Sequence, residues 1–142
     1  MRYRGATRIN VKTGKRAEMI DVTLLVQREI DGKLSDGFVI VFVPHTTAAI
    51  TINENADPDV KHDMLRKLET LVPKSEGYYR HAEGNSDAHV KTSLVGNSVT
   101  VVVSNGKLDL GKWQGIQFCE FDGPRDRELY VKIMRMDESR TD

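Results

Sequence analysis

Val99-Thr100-Val101-Val102-Val103-Ser104-Asn105-Gly106 is the stretch that decides the fold class. A β-branched run stopping at Asn-Gly is the strongest short hairpin signal, because a tight type I′ turn needs positive φ at both central residues. The same character extends outward on both sides. Downstream, Trp113–Phe121 and Glu128–Met136 read as strands. In the second of these, Leu129, Val131 and Ile133 alternate with Tyr130, Lys132 and Met134, as a half-buried strand requires. Upstream, Val90–Val95 reads as a strand entering a Gly96-Asn97 turn, and Phe38–Val43 reads as a strand buried on both faces.

The N-terminal half adds helices. Arg8–Val11 suits a strand that turns at Thr13-Gly14-Lys15 and returns through Ala17–Ile20. Asp21 then reads as an N-cap, with Val22, Leu25, Val26 and Ile30 as one helical stripe and Gly32 as the stop. A second helix is capped by Asp57, starts at Pro58, carries Val60, Met64, Leu68 and Leu71 on one face and ends at Pro73. A polar loop from Ser75 to about Ala88 follows, and 137–142 read as a frayed tail. Two main helices against a largely antiparallel β-sheet core make an α+β protein, one domain over 1–142.

Composition narrows the function classes. Lys and Arg number 21, Asp and Glu 21, so the net charge is +0 and no broad nucleic-acid or anionic-membrane surface is expected. Cys119 is the only cysteine, which excludes an intramolecular disulfide and a thiolate zinc cage. The first residues, Met1-Arg-Tyr-Arg-Gly5, carry no apolar signal region, and Phe38–Pro44 is too short to span a bilayer. A cytoplasmic protein is expected.

The chemistry-bearing residues gather in three places. His81-Ala-Glu83-Gly84-Asn85-Ser86-Asp87-Ala88-His89 packs two imidazoles, two carboxylates and an amide into nine residues. His45 sits just past a buried strand, where sheet-borne sites collect. Three neutral imidazoles with an open fourth position can hold zinc, with Glu83 and Asp87 orienting the rings or ligating directly. On residue type alone these histidines are equally well satisfied polar residues. His62 lies on the polar face of the second helix and reads as solvated. Asn53 and Glu54 precede the Asp57 cap and can turn toward the histidines. Arg125, after Asp122-Gly123-Pro124, is either a bidentate anion fork or a solvated arginine. Trp113 reads as core.

Taken together, Pro44-His45-Thr46-Thr47-Ala48-Ala49-Ile50, Asn53-Glu54-Asn55, Asp57, His81-x-Glu83-Gly84-Asn85-x-Asp87-x-His89, Leu110-Gly111-x-Trp113-Gln114 and Glu120–Arg125 resemble the YjbQ-like, or secondary thiamine-phosphate synthase, family. The match spans nearly the whole chain in order, and Lys112 departs from the small or hydroxyl residue of the pattern. The resemblance implies a homotrimer with a metal at His45, His81 and His89. It also implies coupling of hydroxymethylpyrimidine diphosphate to thiazole phosphate with release of pyrophosphate. Under it, Glu83, Asp87 and Arg125 take catalytic roles, and Asn53, Glu54, Lys91 and Arg125 hold the phosphorylated substrate. Lys91, Arg80 and Arg125 are available to neutralise the leaving group. Three imidazoles favour zinc over magnesium, whereas magnesium would draw on Glu54, Glu83, Asp87 and Glu120. Two further readings stand beside the synthase: a metal-dependent hydrolase or transferase acting on another phosphorylated substrate, and a trimer that binds a metal or metabolite without turnover.

Overall fold

The Asn105-Gly106 turn forms as expected, with φ of +52° and +77° at its two residues. The computed structural model describes residues 5–136. In chain order the elements are β1 (Thr7–Lys12), β2 (Glu18–Asp21), α1 (Thr23–Ile30), β3 (Gly37–Phe42), β4 (Ala48–Glu54), α2 (Pro58–Leu71), α3 (Ser86–Val95), β5 (Ser98–Ser104), β6 (Lys107–Leu108), β7 (Gln114–Glu120) and β8 (Asp126–Arg135). The expected tail at 137–142 lies outside the described residues. No helix among the described residues is long and apolar enough to cross a membrane.

The strands form two sheets, both antiparallel: five strands in the order β1-β8-β3-β5-β6, and three in the order β2-β7-β4. Their facing sides share one core. Val39, Val41, Val101, Val103, Leu129 and Val131 come from the large sheet, Ile50, Ile116 and Phe118 from the small one, and Val22, Val26 and Ile30 from α1. A second cluster covers the other face of the small sheet, where Met19, Ala49, Cys119 and Phe121 meet Ala88 of α3 and, partly buried, Met64, Leu65 and Leu68 of α2. The α+β class stands, with three helices among the described residues instead of two.

Three local readings change. Val90–Val95 is the second half of α3, not a strand. Its apolar residues do not alternate: Val90 and Leu94, four apart, lie together on an exposed face, and Gly96 ends the helix at φ +104°. β3 is buried on one face only, with Phe38 and Ile40 half-buried and Phe42 exposed opposite Val39 and Val41. The strand buried on both faces is β7, since α2 and α3 cover one side of the small sheet and the large sheet covers the other. Trp113 is 56% exposed, with the Lys112 ammonium 4.8 Å from its ring centre, and is not core. Asp21 belongs to β2, yet its carboxylate still accepts from the Thr23 backbone N–H at 2.9 Å and secures the start of α1.

Candidate functional site

His45 follows β3 and is half-buried. Its Nε2 accepts from the Glu128 backbone N–H at 2.9 Å, which commits that lone pair and places the ring proton on Nδ1. Burial, and then the nearby Arg127 charge, push its pKa below the ordinary histidine value and favour the neutral ring. Beneath it lies a buried ion pair. Arg127 donates through Nε to Glu120 Oε1 at 2.8 Å and through its terminal nitrogen to Glu120 Oε2 and Thr47. Thr13 donates to the same carboxylate at 2.8 Å, and the Asp122 backbone N–H does so at 2.9 Å. Burial alone would raise the Glu120 carboxyl; these donors outweigh it and hold the group below the usual carboxylate range. Glu120 therefore has no acceptor to spare for a magnesium ion.

His81 and His89 meet edge to face, with ring centres 5.3 Å apart and Glu83 Oε1 3.8 Å from His81 Nε2. His45 does not join them: among the described residues, no three His, Cys, Asp or Glu side chains are grouped to hold a metal ion. The expected His45–His81–His89 centre does not form. His45 spends Nε2 on a backbone amide and Asp87 is held by two cations, so neither joins His81 and His89 in one centre.

The helical state of 86–95 explains how the loop motif divides. Two residues apart on a helix point to nearly opposite faces, whereas four apart share one. His89 therefore turns away from Asp87, while Lys91 joins it: the Lys91 ammonium donates to Asp87 Oδ2 at 3.0 Å. Arg16, just after β1, adds a bidentate grip on the same carboxylate at 3.0 and 3.1 Å. Asp87 is fully buried and the Lys91 side chain is 5% exposed. Burial would raise the Asp87 carboxyl, but Arg16 and Lys91 outweigh it and keep it ionised. The chain of polar contacts continues outward. Arg16 lies 4.0 Å from Asp122; Asn85 donates to Asp122 at 2.7 Å and, longer, to Glu83 at 3.4 Å. Arg125 closes on Asp122 at 2.9 Å. The structure thus brings Glu83, Asp87, Lys91 and Arg125 into one network. Asn53 and Glu54 lie elsewhere, at the far end of β4, about 20 Å along the strand from the His45 end. Their side chains accept from the Glu54 and Ala56 backbone N–H groups.

Beside Asp87 and Lys91 opens a cleft of ≈ 480 Å³, within the roughly 300–1,000 Å³ range of small-molecule sites. Arg16, Lys91, Arg66 and Lys74 set four cations around it against Asp87 and Glu69, and Leu65, Leu68, Ala17 and Phe121 give it an apolar wall. The α2 contribution was legible as a second stripe, since His62, Leu65, Arg66 and Glu69 follow the i, i+3, i+4, i+7 spacing of one helix face. His62 is solvated as expected, but it stands at the lip of this cleft. Arg16 carried no signal, because its partner lies 71 residues away.

The model of the YjbQ-like UPF0047 family matches residues 7–136. The chain belongs to this family. It is 56% identical over 125 residues to a UPF0047 protein of Methanocaldococcus jannaschii, covering 87% of this chain and 90% of that one. It is 54% identical over 127 residues to UPF0047 protein YugU of Bacillus subtilis, covering 89% and 96%. A crystal structure of a YjbQ/UPF0047 protein from Clostridium acetobutylicum superposes with a TM-score of 0.87 at 54% identity, over 90% of this chain and 99% of that one. A protein of Aeropyrum pernix, at 33% identity, also reaches 0.87, over 94% and 100%. The first three of these relatives are named for the family, and none of the four for thiamine-phosphate synthesis. The synthase expectation is corrected on both grounds: the family designation does not carry it, and the three-histidine centre on which it rested does not form. The metal-dependent hydrolase reading needs the same centre and falls with it.

Proposed function

We propose that this UPF0047 protein is a cytoplasmic binder of a small phosphorylated compound, held in the cleft between α2, α3 and the turn after β1. The observation that supports this reading is the pairing of a cation-rich rim and floor with an apolar wall in one cleft. Asp87 is committed to two cations, so the arrangement favours holding an anion over moving a proton. Thermal denaturation in the presence of phosphorylated metabolites tests it. A ligand at 100 times its Kd should add about 2.7 kcal/mol of stability, and the dephosphorylated counterpart should add nothing measurable. If no phosphorylated compound raises the Tm, the reading fails.

We extend the proposal to self-association as a trimer. What supports it is the outer face of the large sheet, where Val102, Phe38 and Met134 align across β5, β3 and β8 beside Phe42 and Tyr130, with Val102 54% exposed. Antiparallel sheets usually keep a solvent face polar, and here an apolar patch interrupts one that Arg8, Asn10, Thr100, Glu128 and Lys132 otherwise make polar. Light scattering should give three times the 16.0 kDa chain mass, and Phe42→Glu should lower it. A wild-type mass other than that of three chains rejects the extension.

A further inference from the structure

We infer that Arg16 and Lys91, clamped side by side on Asp87, are the two prongs that grip the ligand's anionic group, and that this ligand is a phosphate monoester with an apolar organic part. The inference rests on the binding function proposed above. Along one side of the cleft two cations, the buried Lys91 and the partly exposed Arg16, share the single Asp87 carboxylate, so positive charge is in excess at that carboxylate. Asp122, 4.0 Å from Arg16 and itself held by Arg125 and Asn85, and Glu69, which also lines the cleft, offset that charge only in part. The Lys91 ammonium has three donors and Asp87 accepts one; Arg16 has five and spends two. A terminal phosphate presents three oxygens, enough to meet both prongs at once. Lys74 and Arg66 line the same cleft and suit its second charge. Free phosphate would leave the partly exposed Leu65 and Leu68 uncovered, so the ester group is apolar and lies against them.

Calorimetric titration with phenyl phosphate, inorganic phosphate and phenol tests this. Wild type should bind phenyl phosphate more tightly than inorganic phosphate and should not bind phenol. Arg16→Met and Lys91→Met should each weaken phenyl phosphate about tenfold or more, as loss of a charge-assisted bond predicts. The rim double substitution Arg66→Met with Lys74→Met should cost about threefold or less, since exposed charges are screened. Lys91→Gln serves if Lys91→Met does not fold. Asp87→Asn supplies a second readout: its unliganded Tm should fall, and phenyl phosphate should raise it by more than in wild type, because the bound anion replaces the missing counter-charge. A merely structural Asp87 would show the fall without the enhanced rescue. If wild type binds phenyl phosphate but only the rim variant weakens it, the binding reading stands and the two-prong assignment is overturned. Equal affinity for phenyl and inorganic phosphate overturns the apolar ester. If wild type binds neither phosphate, the two-prong inference falls, and the binding reading falls with it only if no phosphorylated metabolite raises the Tm either.

Discussion

Arg127→Met should destabilise the protein by about 3–5 kcal/mol, the cost of stranding one half of a buried ion pair. Glu120 is wholly buried and Arg127 is 5% exposed, and the carboxylate depends on Arg127 for two of its hydrogen bonds. The loss is a large share of an ordinary domain's roughly 5–15 kcal/mol. Adding Glu120→Gln to Arg127→Met should recover part of it, because the stranded charge is then gone. The pH dependence gives a sharper check. In wild type the folded Glu120 carboxyl is depressed, so its contribution is full above the unfolded value near about 4.3 and is lost as pH falls through the folded value. In Arg127→Met, burial acts on Glu120 without its counter-ion and raises the carboxyl. The variant should then gain stability from this group on acidification, where wild type loses it. Urea denaturation at several pH values from neutrality to below the unfolded carboxylate value of about 4.3 reads this directly, and parallel pH profiles in the two proteins would count against the assigned role.

Gly123→Ala should be nearly as damaging. A Cβ there would lie 2.2 Å from the Lys15 carbonyl oxygen, 2.8 Å from Glu120 Cγ and 2.9 Å from Thr13 Oγ1. The first contact is backbone, so the turn after β1 has to move, and the cost should reach the upper part of the roughly 1–3 kcal/mol seen for overpacking. The Gly123 N–H donates to the Arg16 carbonyl at 2.9 Å, so the same displacement pulls Arg16 from Asp87. Phenyl phosphate affinity should fall together with the Tm. Gly77→Ala, where an added Cβ has nothing within 4 Å, should change neither. A Gly123→Ala protein with wild-type Tm would show that the two turns do not depend on this close approach.

What the sequence disclosed follows from the range of the forces involved. The Asn105-Gly106 turn, the Asp57-Pro58 start of α2 and the alternation of β8 are set by neighbours in the chain, and each is where the pattern puts it. β4 leaves no local signal because Ala48–Glu54 mixes small, apolar and polar residues and becomes a strand through its pairing with β7. α3 reads as loop and strand in the sequence because its buried residues, Asp87, Ala88, Lys91 and Thr92, are mostly polar and leave no apolar stripe to see. The site divides the same way. Asp87 and Lys91 were picked out as chemistry-bearing residues, four apart on what proves to be one helix face. Their meeting with Arg16, and the separation of His45 from His81 and His89, are long-range outcomes with no trace in local spacing.

The packing of α2 has a consequence for how the cleft works. This 14-residue helix has no fully buried residue; Met64, Leu65 and Leu68 only half-cover the second cluster. A wall held by so little buried surface opens locally well before the rest of the chain unfolds. Its backbone amides should therefore exchange with solvent sooner than those of β7, which is buried on both faces. Any molecule that bridges Arg16 and Lys91 on one side and the side chains of α2 on the other lends its binding energy to closing that helix. Order in α2 and occupancy of the cleft are then one coupled equilibrium, and protection of α2 amides becomes a direct reading of how full the cleft is.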